Sequence, residues 1–567
     1  MPMKKLLWIL PLLIIASCNQ PYQSPRGIGD KWYVATTGSD TDGDGSFAHP
    51  WKTLKHACDT ITGAAFATDT IIVGAGTFSE PVQIALGVGV SIKGAGVATI
   101  ITSGSALNPI LLLASASEGT NGNQTISGLT FDGDMTAASL IKVFARSNVE
   151  IHHCTFLDSY YQGVLFYGRT DSLYQMTTTY STGNSFHDNI VTNCAAWDAA
   201  HAWDKGRGNF CFGGQDGMLI YNNTITQPDR GGAANGHGIK FTNHGNHKGT
   251  KIYNNTVSVP QKKAATGSGG GYAFAFELWS QRGGIEIYDN NVYGCIDLGG
   301  YDTNDDGGYG YAIKVYRNRI GYDALSAYDH NAIHLELGFH GGTYIYQNHI
   351  RNISRPIAST SSSSALVQGQ EDVVVSHNIF TGVRRAGAGW YGYCFDINPA
   401  VAYTLDDWRV LNNTVYSDAG TLYAFMEAND ATTTVTDMEV KNNIVVGAHE
   451  GVRLINGTVT NIEIENNDFY GVTNDTVFTD ATVTGDVFQN NLDVNPLFKS
   501  NETFRLCPTS PCINAGTPVG LTNDFAGHRV PQNDTVDIGA YEYGDYLFRT
   551  PSGKLLRNAN GKLMITH

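Results

Sequence analysis

Six side chains in the middle of this chain are of the types that move protons or neutralise charge: Lys240, Glu277, Asp297, His334, Glu336 and Asp396. Lys240 or His334 could serve as a base toward a proton made acidic by a neighbouring carboxylate. Asp297 could orient the His334 imidazole and favour its charged form. Glu277 and Glu336 could instead divide acid and base roles between two carboxyl groups. A solvated polar face would draw on the same residue types. Only 16% of the 567 residues are charged, however, so their concentration in one region calls for a positional explanation.

The position follows from a repeat. Ile220-Tyr-Asn-Asn-Thr-Ile225 matches Ile252-Tyr-Asn-Asn-Thr-Val257, and the same frame returns at Ile287, Val315, Ile345, Val375, Val410, Val440 and Ile464. Its fourth residue is always asparagine: 223, 255, 290, 318, 348, 378, 413, 443 and 467, with Asn189 and Asn490 extending the series. Apolar residues alternate within each short run, the period of a strand, and polar corners separate the runs. No helical stripe appears in the repeats, which argues against helical arrays. Asparagine tolerates the left-handed conformation of a sharp corner, and its amide can bond the amide one coil away. The pattern predicts an all-β solenoid, a parallel β-helix held by an asparagine ladder.

In such a solenoid the strand preceding each ladder strand belongs to a second sheet. The inward pairs Ile239/Phe241, Phe274/Phe276, Ile296/Leu298, Ile333/Leu335, Leu366/Gln368, Phe395/Ile397 and Val452/Leu454 align these strands. Alternation then predicts one outward column of Lys240, Ala275, Asp297, His334, Val367, Asp396 and Arg453. A second column holds Thr242, Glu277, Gly299, Glu336, Gly369, Asn398 and Ile455. With coils ~4.8 Å apart, Asp297 and His334 become direct neighbours. Glu277 and Glu336 fall two coils apart in one column, near the ~6.5–9.5 Å carboxyl separation of inverting glycosidases. The expected result is an exposed furrow.

Acids outnumber bases 52 to 36, for a net charge of −16. That balance excludes a nucleic-acid binder working through a basic footprint. Lys4 and Lys5 precede an apolar run from Leu6 to Ala16, too short to span a bilayer and suited to a secretory signal. Ile15-Ala16-Ser17-Cys18 resembles a bacterial lipobox, which implies removal of residues 1–17, lipidation of Cys18 and an exported, outer-membrane or cell-surface protein, with the periplasmic face as an alternative. Of the eight other cysteines, only Cys507 and Cys512 are spaced to suggest a bridge. The rest are expected to be buried thiols.

A solenoid must cover its ends. Trp51, Leu54, Cys58 and Ile61 share one helical face, predicting a capping helix before a first coil at Thr70–Phe78. The stretch from Trp32 to Gly96 (Tyr33-Val-Ala, Gly38-Ser-Asp, Pro50-Trp-Lys-Thr-Leu, Ile71-Ile-Val, Gly76-Thr-Phe) resembles the N-terminal portion of right-handed parallel β-helix proteins of the pectate-lyase superfamily. Asn495-Pro-Leu-Phe, Ser510-Pro-Cys-Ile-Asn-Ala-Gly516, Asp524-Phe-Ala-Gly-His-Arg529 and Asp537-Ile-Gly-Ala-Tyr-Glu542 resemble the closing segment called choice-of-anchor Q. The resemblance implies a right-handed helix acting on polysaccharide, with a polyuronate lyase working by β-elimination as the leading expectation. A glycoside hydrolase and a non-catalytic glycan-binding lipoprotein are the alternatives. It is specific for fold and poor for substrate. A polygalacturonase-like Asn-Thr-Asp followed by an Asp-Asp pair and the Asp-Pro-His of alginate epimerases are both missing.

The expected organisation is signal peptide 1–17, linker 18–30, β-helix with its cap 31–490, closing segment 491–545 and basic tail 546–567, in a monomer. Asp302, Asn304 and Asp306 offer alternating oxygens to calcium, although the closing glutamate of an EF-hand loop is missing. Asp40–Asp44 reads as a plain turn. His237, His244 and His247 lack a helical zinc-binding frame. Tyr272, Trp279, Phe339, Trp390, Tyr391 and Tyr393 could stack on sugar or lie buried, and Trp197, His201, Trp203 and Asp204 belong to a long excursion able to shape a groove.

Overall fold

The computed structural model describes residues 29–544, except 170–178, 196–207, 229–235, 242–246, 260–273, 279–282, 300–311, 324–330, 337–341, 361–368, 385–391, 398–402, 418–421 and 430–432, together with 546–547 and 565–566. The candidate residues Cys18, Asp302, Asn304, Asp306, Trp197, His201, Trp203, Asp204, His244, Tyr272, Trp279, Phe339, Trp390 and Tyr391 therefore lie outside the described residues. The described chain is a right-handed parallel β-helix of three long sheets, here sheets I, II and III, with 17, 14 and 14 strands. Each coil visits them in that order. In sheet I the inward residues Ile220, Ile252, Ile287 and Val315 stack in register, and the column continues to Ile464, each member at most 1% exposed. Side-chain alternation with a period of two fixes which face each residue takes.

Two residues join sheet I to sheet II in every ladder coil, and they divide the work expected of one. The first has a left-handed backbone: Asp188, Asn222, Asn254, Asp289, Arg317, Gln347, His377, Asn412, Asn442, Asn466 and Asn490 all have φ between +50° and +58°. The second is the ladder asparagine. Asn223 Oδ1 accepts from the backbone N of Asn189 at 3.1 Å and from Asn189 Nδ2 at 3.1 Å. Asn223 Nδ2 donates to Asn255 Oδ1 at 2.9 Å and to the Phe186 carbonyl at 3.0 Å. The contact repeats from coil to coil until Asn467 meets Asn491 at 3.0 Å. The ladder thus ends at Asn491, and Asn490 is a left-handed residue, one position away from the expected register.

The N-terminal cap is the helix Leu54–Thr60, entered through Thr53, whose hydroxyl accepts from His56 N. Asp40 fastens that entry by accepting from Lys52 N, Thr53 N and Thr53 Oγ1 at 2.7–3.0 Å. At the other end the chain turns back along the flank of the solenoid, over the two-residue corners, instead of covering the last coil. Asn466 donates to the Ala515 carbonyl, Asn442 to that of Thr517 and Asn412 to that of Asp537, at 2.8–3.0 Å, and Gln347 donates to that of Asp524. Phe478 and Phe488 of the final coil are 38% and 48% exposed. The acids of the closing motifs are internal acceptors: Asp524 takes Ala526 N and His528 N, and Asp537 takes Asn514 N. All eight described cysteines are free thiols. Cys512 is buried with its Sγ 3.3 Å from Asp468 Oδ2, so the suggested bridge to Cys507 does not form.

Replacing a ladder amide strands its neighbours, because a buried donor or acceptor without a partner costs ~1–3 kcal/mol. Asn348→Ala should lower the urea midpoint of unfolding markedly. Asn491→Ala, at the half-exposed end of the ladder where water can substitute, should lower it much less. Equal losses at both positions would mean that the ladder does not carry the register.

Candidate functional site

Sheet III carries the candidate side chains. Its middle strands are His237–Phe241, Phe276–Leu278, Ile296–Gly299, Asn331–Glu336, Arg355–Thr360, Gly392–Ile397, Leu422–Asn429 and Ala448–Ile455. Strand register places Lys240, Glu277, Asp297, His334, Ala358, Asp396, Glu427 and Arg453 in one column, one residue per coil. Inward neighbours such as Ile239, Phe276, Leu298 and Leu335 are fully buried and hold that alternation.

This column corrects the sequence alignment in three places. Glu277, not Ala275, is the member from its coil, so Glu277 touches Asp297's rung and does not share a column with Glu336, which pairs in register with Gly299. The expected Glu277/Glu336 carboxylate pair is thereby lost. Phe274 and Phe276 were the wrong inward pair; Phe276 and Leu278 take that role because the strand starts two residues later. The coil after His334 is built from Ile357 and Ser359, making Ala358 the member instead of Val367. One coil escaped the alignment altogether. Its strand Leu422–Asn429 brings Glu427 beside Asp396, and the alternation of Ala424, Met426 and Ala428 was its available signal.

The column is also not an open furrow. Lys240 is 2% exposed, Glu277 9%, Asp297 0%, His334 7%, Asp396 4% and Glu427 4%. Buried charges persist when matched by opposite charges close by, and each acid of the column has a basic partner within reach. The Lys240 ammonium is ion-paired with the Glu277 carboxylate. His237 Nε2 lies 3.4 Å from Glu277 Oε2, and burial, with Lys240 adding to it, holds His237 well below its ordinary pKa. Arg355 Nη1 donates to Asp396 Oδ2 at 3.1 Å. Arg453 Nε meets Glu427 Oε2 at 2.9 Å and its Nη1 donates to Glu450 at 2.9 Å.

His334 Nδ1 and Asp297 Oδ1 are 2.6 Å apart. Burial disfavours the imidazolium, but the hydrogen bond and charge of Asp297, with Glu336 adding to them, outweigh it and hold the His334 pKa above 6.5. Burial likewise pushes Glu427 up to about 7; Asp396 adds to the effect and Arg453 opposes it. Ligand atoms of Asp297, His334 and Glu336 lie within 4.8 Å of one another, so this trio could hold a divalent ion. An imidazole nitrogen among the donors suits a transition metal better than calcium. Tyr393, the described member of the predicted aromatic group, is half-buried against Tyr423, with ring centroids 5.8 Å apart, instead of presenting an open face.

A family model described as a right handed beta helix region matches residues 81–257. No curated protein matches the chain. Among solved structures, a single-substitution variant of the tailspike protein of E. coli bacteriophage HK620, in complex with a pentasaccharide, is 12% identical over 77% of this chain and 78% of its own, with a TM-score of 0.51. The pectate lyase Pel9A is 13% identical over 91% of this chain and 98% of its own, at a TM-score of 0.35. These likenesses concern the fold.

The Asp297–His334 contact makes a spectroscopic prediction. The His334 ring should titrate above pH 6.5 by NMR, and in Asp297→Asn its midpoint should fall, because the chief opposition to burial is then gone and only Glu336 still raises it. An unchanged midpoint would show that the carboxylate does not set the charge of the ring.

Proposed function

We propose that the protein cleaves an acidic polysaccharide by β-elimination, with His334 as the base. The observation that carries this reading is the buried hydrogen bond between His334 Nδ1 and Asp297 Oδ1 at 2.6 Å. In this reading Nε2 of the ring removes the proton on the carbon next to a uronate carboxylate. The electron pair then forms a carbon–carbon double bond as the glycosidic carbon–oxygen bond breaks, and the leaving oxygen takes up a proton. The carboxylate must be neutralised for that proton to become acidic, and Arg355, one strand along from His334, supplies positive charge. Lys240 suits the role of base less well, since the Glu277 carboxylate against it favours the ammonium form. Calcium held by Asp302, Asn304 and Asp306, just beyond the strand that carries Asp297, belongs to this reading as a further neutralising charge. So does an exported protein anchored through Cys18, which Cys18→Ser should release from the membrane fraction.

One observation favours a second reading. Asp396 and Glu427 are adjacent carboxyl groups in the same column, and Glu427, with a pKa of about 7, keeps its proton in part at neutral pH while Asp396 is paired with Arg355. A carboxyl group that keeps its proton beside an ion-paired carboxylate suits hydrolysis by an acid and a base. A tailspike of similar fold was solved with a bound pentasaccharide, which agrees with a sugar ligand under either reading.

A panel of polyuronates separates the outcomes. Elimination produces an unsaturated, ultraviolet-absorbing sugar end, and His334→Ala should lower its rate ~10²–10⁴-fold. As a base His334 must be deprotonated, so kcat/KM should fall as pH drops through the raised pKa. In Asp297→Asn the limb should move to lower pH. New reducing ends without the absorbance, abolished by Glu427→Gln, would replace elimination with hydrolysis. Retention on a glycan array with neither product would leave a binding protein. Activity that EDTA removes and calcium restores would support the cation; activity indifferent to EDTA would remove it from the reading.

A further inference from the structure

The outward face of sheet I bears a stack of rings: His152, His187, Tyr221, Tyr253, Tyr288, Tyr316 and Tyr346, one per coil, with centroids 4.4–5.1 Å apart and planes within 7° of parallel. Ring faces inside the stack are occupied by their neighbours. At Tyr346 the series stops, because the next residue in register is Ser376, followed by Leu411. The serine adds no ring beyond Tyr346, and Ser376 and Leu411 lie buried at the base of the column. A cavity of about 610 Å³ opens there. Its floor includes two columns of three residues, Tyr346, Ser376 and Leu411 beside Tyr344, Val374 and Arg409, and residues 519–523 of the closing segment form another wall.

The lining has two characters. Tyr346 gives the lining an aromatic ring, while Ser376, Arg409, Thr522 and Asn523 bring polar groups to its margins. His377, 2% exposed, borders the same cavity, and its buried Nε2 has no hydrogen-bond partner among the described residues. Burial holds this ring's pKa at about 4, so it meets a ligand as a neutral imidazole. Nearby cations are matched: Arg409 faces Asp372 and Asp407, and Arg317 faces Asp289. The charges therefore give no preference for an anion. An apolar ligand would leave the polar margin and His377 unsatisfied. A pyranose has an apolar face for the tyrosine and hydroxyls for the margin.

We infer that this cavity is a second saccharide-binding site, in which a neutral sugar ring packs against Tyr346. It lies on sheet I and is independent of the chemistry proposed on sheet III. The test is calorimetric titration of the full chain with cellotriose, mannotriose and galactotriose. At least one should bind at one site per chain, and His334→Ala should bind it equally well. Thr522→Trp, at an exposed position of the lining where a large ring would fill the cavity, should weaken it at least tenfold without lowering the thermal midpoint, and Tyr346→Ala should also weaken it at least tenfold. The inference is overturned if no trisaccharide binds, if binding survives Thr522→Trp, or if p-cresol binds in preference to all three sugars.

Discussion

Everything in this molecule is referred to the two-residue corner between sheets I and II. A left-handed residue turns the chain, and the following asparagine closes hydrogen bonds to the coils on either side. Each buried amide is satisfied only when the neighbouring coil sits in register, so a slip anywhere would strand donors and acceptors in the interior. The same corners also face outward. Asn412, Asn442 and Asn466 hold the closing segment through their side chains, which makes that segment a strap along the ladder.

Uniform corners leave variety to the other two connections. The corner is two residues in every ladder coil, whereas the chain from sheet II to sheet III runs from Ser258 to Phe276 in one coil and from Tyr293 only to Ile296 in the next. Strands of sheet III therefore inherit no register from a constant loop. They depend on their inward apolar pairs and on contacts within the column, where ammonium meets carboxylate and imidazole meets carboxylate. That dependence explains how so many ionisable groups are tolerated with so little exposure in a chain poor in charge.

Legibility followed the same division. The solenoid, the strand phase of sheet I and all but the last ladder asparagine could be read directly, because a fixed two-residue turn repeats the same local chemistry. Asn490 misled because Asn490 and Asn491 are both asparagines and only the second points to the ladder. Sheet III was read less well. Between Lys240 and Asp297 the strand could be phased on Phe274 or on Phe276, and the choice moved Glu277 from one column to the other. Glu427 was missed because its strand has the small inward residues Ala424 and Ala428, which a search for bulky pairs passes over. Asp297, His334 and Asp396 were placed correctly, since Ile and Leu or Phe and Ile flank them without ambiguity.

The charges of the column therefore have two roles that cannot be separated by removing them singly. Lys240 without Glu277 would be a buried, unmatched ammonium, and the loss would register as instability before it registered as chemistry. The Asp297–His334 pair differs in one respect. Its hydrogen bond uses one ring nitrogen, and an imidazole can change its charge while the contact persists. A guanidinium such as that of Arg453, which its carboxylate partners hold still more firmly in the charged form, does not. A site that must take up and release a proton within an otherwise fixed array of matched charges is therefore best placed at His334. It sits in mid-column, where the neighbouring coils hold the ring in place and the carboxylate sets its charge.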